Sequence, residues 1–268
     1  MMKSESELSS LRGPDCLGQF KGQRVAISFT GGKDCHLAIQ RSQEAGLEVV
    51  CLAIFHRPGG ESNFKAHRVK WQETQAKAMG IPLVLCGLWE LEKQANKKEE
   101  LDFKSAYAAA IHQLQIDHNI KAIITGDIDY VFGGKTNFMQ QVCSEHDCRG
   151  VLALLPLWKQ PRKELMREML LGHNLDIRMS CVKSPFFDES WIGRRLDWET
   201  VSFLESKDGL DLNGENGEYH TMVLNGPMYK TSLQFEDLQA EELVKQPGQK
   251  GDQRWWVISE TAKLVPVT

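Results

Sequence analysis

No stretch of this chain is long and apolar enough to span a bilayer, and its opening residues, MMKSESELSS, lack the apolar core of a secretory leader. Positive charge is not in excess. Lys and Arg number 32 against 36 Asp and Glu, a formal charge of −4, so no basic field invites nucleic acid or an anionic membrane. The seven cysteines are odd in number, scattered and without a Cys-x-x-Cys pair, which argues against a disulfide framework and for a reduced, cytoplasmic protein. Cys143 and Cys148 flank His146, but that spacing fits no zinc pattern, and they read as helix residues. Internal repeats, low-complexity tracts and a glutaminase segment are absent as well. What remains, 41% hydrophobic and 25% charged residues in a chain of 268, suits a soluble globular protein with one large domain or two modest ones.

Two common nucleotide signatures are also missing. No Gly-x-Gly-x-x-Gly follows the first predicted strand, which excludes the dinucleotide fingerprint. Gly134-Lys135-Thr136 has the ending of a Walker A loop, yet Asp129 stands where its first glycine belongs. That segment reads as a turn or a helix start.

Strands and helices alternate through the first half. Val25 to Phe29 is apolar and strand-like, Lys33 to Ala45 is helical and stops at Gly46, and LEVVCLAIF is a strand buried on both faces. A polar loop, HRPGGESN, leads to helical spacing from Phe64 to Met79. IPLVLCGLW is a third strand, Glu99 to Gln115 a long helix, and KAIITGDI a fourth strand running into a Gly-Asp turn. This order predicts an α/β fold with a parallel sheet flanked by helices. Further on, GVLALLPLW and LDIRMSCV read as strands around a helix in QPRKELMREMLLG, which has a proline in its first turn. Turn glycines around two alternating runs in GENGEYHTMVLNGPMYKTSLQF predict a β-hairpin. The expected organisation is a loose polar tail over 1–23, a nucleotide-binding domain over 24–130, a smaller α/β substrate domain over 131–235, and a charged tail over 236–268 in which RWWVIS packs back on the body.

The chemistry concentrates in VAISFTGGKDCHLAI. Thr30-Gly31-Gly32-Lys33-Asp34-Cys35 joins a strand to a helix, where N-terminal amides collect anions. The glycines let backbone approach phosphate oxygens, and Lys33 adds a point charge. Asp34 is out of place beside phosphate until a magnesium ion is supplied for it to hold. The bland alternative is a glycine turn with a solvated Lys-Asp pair.

This loop resembles the Ser-Gly-Gly-Lys-Asp-Ser signature of the PP-loop ATP pyrophosphatases, of adenine nucleotide alpha hydrolase-like fold, which cleave ATP between its α and β phosphates. Within that superfamily the chain resembles the diphthine–ammonia ligases, or diphthamide synthases. IITGDI at Ile123 to Ile128, LLPLW at Leu154 to Trp158 and GENGEYHT at Gly214 to Thr221 resemble that family's signatures in the same order, and the resemblance runs from about residue 24 to 235. It implies ATP and Mg2+, with diphthine on translation elongation factor 2 as acceptor and ammonium as nitrogen source. The diphthine carboxylate is adenylated and then amidated, giving diphthamide, AMP and pyrophosphate.

Carried onto this sequence, the resemblance assigns ATP to Thr30, Gly31, Gly32, Lys33, Asp34, Cys35, Gly126 and Asp127, with Asp34 on the metal. It makes Lys33 catalytic through charge on the departing pyrophosphate, and gives Glu215 and Glu218 the ammonium and its proton. Tyr219 and His220 join those glutamates in binding the acceptor. Trp158 reads equally as packing or as a substrate contact. Two letters depart from the pattern: Thr30 and Cys35 replace serines, and the thiol is a weaker donor than a hydroxyl. DYVFGGKT after Ile128 has no counterpart in the signature. Two other readings stay open, a PP-loop enzyme adenylating a different carboxylate or small metabolite, and an ATP or AMP sensor without turnover. An RNA-thiolating enzyme is disfavoured by the acidic balance and the missing cysteine pair. Aromatic residues in the second half leave room for a homodimer interface.

Overall fold

A computed structural model describes residues 5–56, 66–88, 103–130, 134–243 and 254–267. Beyond His56, the loop expected over HRPGGESN lies outside the described residues. So do the expected helix starts at Phe64 and Glu99, and Val131 to Gly133 of the DYVFGGKT segment.

The described chain divides into two compact units. The first holds the chain to Thr30, from Asp34 through the second strand, and from Ile81 to Gln160. The second holds Gly31–Lys33, the chain through the third helix to Gly80, and everything from Pro161. The main change of unit therefore falls later than composition suggested at 130/131, because one more strand of the first sheet follows that point.

The first unit is built on five parallel strands, β1 (Arg24–Ser28), β2 (Glu48–His56), β3 (Leu83–Gly87), β4 (Ala122–Ile124) and β5 (Leu152–Leu154), in the order β3-β2-β1-β4-β5. The parallel sheet expected from the alternating pattern is present. Its central strands are fully enclosed: Val25, Ala26, Ile27, Cys51, Leu52, Ala53, Ile123 and Ile124 are all at 0% exposure. Continuous apolar runs, without in–out alternation, are what two covered faces require. At the β3 edge Leu85 is exposed instead.

Among the described residues, helices α2 (Lys33–Glu44), α4 (Phe103–His118) and α5 (Phe138–Glu145) accompany this sheet. The segment expected as a loose tail contains α1 (Glu5–Ser9) and a 3-10 turn at Pro14–Phe20, and it buries Leu11, Cys16, Leu17 and Phe20. Arg12 bridges Leu155 as a short parallel pair, so apolar residues spaced among polar ones anchor this segment.

The second unit carries α3 (Val69–Met79), ended by Gly80 in the left-handed region at φ 70°. It also carries α6 (Arg162–Arg167), which continues as a π turn to Gly172, and α7 (Trp198–Glu205), capped by the Asp197 carboxylate accepting from Thr200 N. Strands β6 (Asp176–Lys183), β7 (Tyr219–Asn225), β9 (Ala240–Glu242) and β10 (Trp255–Ile258) form an antiparallel sheet in the order β7-β6-β10-β9, and β8 (Leu233–Glu236) pairs with β11 (Lys263–Pro266). The RWWVIS segment thus packs back, as β10 beside β6.

The hairpin expected over 214–235 is not formed. Its two runs, β7 and β8, belong to different sheets. The alternating pattern identified both strands correctly, but Gly226 and Pro227 break the chain between them and each finds a partner distant in sequence, β6 and β11. β7 is consequently a terminal strand with one edge open to other partners.

Ile124 lies in the middle of the parallel sheet at 0% exposure, where its loss leaves a cavity that the surrounding strands cannot close. We predict that Ile124→Ala lowers unfolding stability by about 2–5 kcal/mol, read from denaturant midpoints at unchanged slope. A change below about 0.5 kcal/mol, the range of surface substitutions, would contradict this placement.

Candidate functional site

The strand order reverses between β1 and β4, the point in an open parallel sheet where ligands gather beyond the carboxyl ends of the strands. The Thr30–Cys35 loop leaves β1 there, and Gly126–Asp127 leaves β4. A Cβ on Gly126 would stand 2.7 Å from the Asp34 carbonyl carbon and the Cys35 nitrogen, so only glycine allows β4's exit to pack on the first turn of α2.

Asp127 accepts a 2.6 Å hydrogen bond from Asn137 Nδ2. Crowding by protein raises its pKa; the bonds from Asn137 and Thr125 act against that, and the charge of Asp34 adds to the rise. Asn137 also caps α5, its Oδ1 accepting from Gln140 N at 3.0 Å. Gly134-Lys135-Thr136 is accordingly the bend before a helix start.

Cys35 is buried, with Thr30 Oγ1 3.6 Å and His36 Nδ1 3.8 Å from its sulfur. Trp158 is buried edge-on to Tyr130, with the Arg12 guanidinium over its ring at 5.3 Å, the setting of a packing residue.

In the second unit, Gly31–Lys33 runs along the open edge of β7. The Gly31 carbonyl accepts from Val223 N at 3.2 Å and from Gln75 Nε2 at 3.0 Å. Lys33 N donates to Thr221 Oγ1 at 3.1 Å, and Lys33 Nζ donates to the Asn213 carbonyl at 2.7 Å, above the Tyr219 ring. Lys33 is only 2% exposed.

The turn before β7 is a closed network. Glu218, 2% exposed, accepts from Asp211 N through Oε1 and from Asn216 N through Oε2, and Asn216 Nδ2 adds a third bond to Oε1. Asp211 in turn accepts from the backbone nitrogens of Asn213 and Glu215 and from Arg162 Nε. Gly214 holds φ 78°, and a Cβ there would lie 2.7 Å from the Tyr219 carbonyl oxygen, so this turn requires glycine twice over. Tyr219 is tied by its hydroxyl to the Leu212 carbonyl. Glu215 keeps part of its surface, whereas Glu218 spends both oxygens on the turn. The Asn213 side-chain amide is buried without a hydrogen-bond partner among the described residues, beside the carbonyl that holds Lys33.

His220 meets His67 edge-to-face at 5.5 Å. Burial pushes its pKa down to about 3, and the positive charges of His67, Lys33 and Lys183 push the same way.

The candidate residues thus fall into two groups. Thr30, Asp34, Cys35, Gly126 and Asp127 belong to the first unit; Gly31, Gly32, Lys33, Glu215, Glu218, Tyr219 and His220 belong to the second. Sequence reasoning missed Gln75, Asn137 and Asn213, and placed Thr221 in the GENGEYHT signature without giving it a role. Gln75 had a usable signal, a polar residue at the core-facing spacing of Trp71, Ala76 and Met79 in α3.

A doubly covered parallel sheet with a glycine-lysine loop at its switch point defines an α/β nucleotide-binding protein of the PP-loop type. The family model for the diphthamide synthase N-terminal domain matches residues 23–150, and that for the diphthamide synthase C-terminal domain matches 161–249. The chain belongs to the diphthamide synthase family. It is 25% identical over 229 residues to the diphthine–ammonia ligase of Homo sapiens, covering 78% of this chain and 82% of that protein. Identity to the diphthine–ammonia ligase of Bos taurus is 24% over 245 residues, with the same two coverages of 78% and 82%. The diphthine–ammonia ligase of Schizosaccharomyces pombe is 24% identical over 266 residues, which is 91% of this chain but 42% of that longer protein.

Below an unfolded-state pKa of 6.5 the unfolded chain protonates His220, while the folded chain does not until about 3. The unfolded state then binds more protons, so stability is lost as pH falls through that window. We predict that His220→Gln makes the fall shallower between pH 6.5 and 4, measured by denaturant unfolding at several pH values. Parallel stability–pH curves for the two proteins would contradict it.

Proposed function

We propose that the chain is an ATP-dependent amide ligase that adenylates the diphthine carboxylate of elongation factor 2 and amidates it with ammonium. One observation carries this reading. Lys33 of the loop is bonded to the carbonyl of Asn213, which precedes GENGEYHT, and to the hydroxyl of Thr221, which ends it, so one lysine ties a phosphate-type loop to an acidic turn.

A carboxylate oxygen of the acceptor attacks the α-phosphorus of ATP, and the bond to the β-phosphate oxygen breaks. Lys33 and the loop amides stabilise charge on the departing pyrophosphate. Ammonia then attacks the acyl carbon, AMP leaves with the former carboxylate oxygen, and the ammonium nitrogen gives up its surplus protons. Asp34 and Asp127 are the groups that fit Mg2+, whose charge would neutralise the phosphates.

Of the two glutamates, the geometry favours Glu215 as the carboxylate that orients ammonium, since Glu218 is committed to the turn. Neutral His220 contributes a polar edge on the acceptor side, while Tyr219, buried and tied to the Leu212 carbonyl, supports Lys33 with its ring. A cytoplasmic setting, where translation takes place, accompanies this reading.

Three variants test it with AMP release and thermal unfolding measured in parallel. Lys33→Ala loses a charge-assisted contact and slows AMP formation about ten- to a hundredfold. Glu215→Gln leaves ATP binding and unfolding unchanged but slows ammonium-dependent turnover. Glu218→Gln presents an amide to backbone donors and costs about 2 kcal/mol of stability. Parental turnover in both the Lys33 and Glu215 variants would exclude the proposed chemistry.

A further inference from the structure

A Gly-Gly peptide is the least constrained link a chain can make, so the orientation of the Gly31–Gly32 peptide must be imposed from outside. Gly31 sits at φ 82°, in the left-handed region. Its carbonyl receives two donors, Val223 N at 3.2 Å and Gln75 Nε2 at 3.0 Å. The same Gln75 nitrogen donates to the Val223 carbonyl at 2.8 Å, and Tyr229 Oη donates to that carbonyl as well. With both Nε2 protons assigned to carbonyls, the amide orientation of Gln75 is fixed. Its Oε1 then lies against Gly31, beside the space a Cβ would fill, while the left-handed backbone there is what favours glycine.

Gln75 is completely buried on α3, a helix to which the sequence pattern assigns only packing. A buried glutamine is expensive unless it satisfies something that matters to the fold or the site. What it satisfies here is one loop carbonyl and the adjoining carbonyl of β7.

Because the peptide is planar and trans, fixing the Gly31 carbonyl toward Gln75 and β7 fixes the Gly32 N–H in the opposite direction. We propose that Gln75 is a positioning residue, which acts through the Gly31–Gly32 peptide to set the phosphate-facing conformation of the loop. This rests on the reading that the loop binds the phosphates of ATP. The direct ligands are loop groups; Gln75 itself touches none of the reacting atoms.

Two substitutions separate this role from packing. Gln75→Leu keeps the bulk and loses both donated bonds. Gln75→Glu keeps the shape, and its carboxyl, withdrawn from water, takes up a proton readily and then donates one bond; once ionised it faces two carbonyl oxygens and donates none. ATP binding is measured by calorimetry from pH 6 to 8.5, each value taken relative to the parental protein at the same pH. Amide hydrogen exchange of residues 29–35 and 219–225 is followed without nucleotide.

The expected result for Gln75→Leu is ATP affinity weakened about tenfold or more at every pH, with faster exchange of both segments. For Gln75→Glu, affinity is near parental at pH 6 and falls as pH rises, and exchange of residues 29–35 at pH 6 stays near the parental rate. Exchange in Gln75→Leu indistinguishable from the parent, or a pH-independent ratio for Gln75→Glu, would overturn the proposal. If the parental protein bound no ATP, the reading of the loop would fail, and the exchange data would still decide whether Gln75 holds it.

Discussion

The hydrogen bonds that hold Gly31–Lys33 against the edge of β7 are the constraint on which the rest of this site depends. The loop needs glycine for close backbone approach, and that same freedom leaves it without a preferred shape. Val223, Thr221 and Gln75 supply the shape from β7 and α3. A terminal strand ordinarily has to be protected from pairing with other chains. Here its free edge is used by three residues of a functional loop, and the turn leading into the strand delivers the Asn213 carbonyl to Lys33. The loop and the GENGEYHT turn are therefore linked through one strand and one lysine.

Electrostatics sort the remaining side chains. In the first unit burial makes Asp127 costly to ionise, and the nearby charge of Asp34 adds to that cost. In the second unit His220 is kept neutral by burial and positive neighbours, and so can offer a lone pair or an N–H without adding charge. Glu218 and Glu215, alike in sequence, separate in role: one closes a turn with both its oxygens, the other retains contact with solvent.

Much of the fold was legible in the sequence because its strands are either wholly apolar or plainly alternating. LEVVCLAIF and KAIITGDI could only be buried strands, and Gly46 and Gly80 marked helix ends. Strand partners were less legible. The run from Gly214 to Phe235 has the local pattern of a hairpin, and nothing local announces that β7 will pair with β6 and β8 with β11. The N-terminal segment was read as a tail because its apolar residues, Leu11, Cys16, Leu17 and Phe20, follow no regular period. For the site, motif residues were visible, while their supports were not. Gln75, Asn137 and Thr221 act through geometry that residue type alone does not encode. The two glutamates could not be told apart until their hydrogen bonds were known.

The central claim is that this loop activates a carboxylate by adenylation before nitrogen is added, and the fate of the carboxylate oxygen tests it most directly. Elongation factor 2 bearing diphthine labelled with oxygen-18 in its carboxylate is incubated with the protein, ATP, Mg2+ and nitrogen-15 ammonium, and the products are analysed by mass spectrometry. The account predicts one oxygen-18 atom in the phosphate of AMP and one nitrogen-15 atom in the new amide. Amide formed with unlabelled AMP, or AMP released without any change in the acceptor, would contradict it.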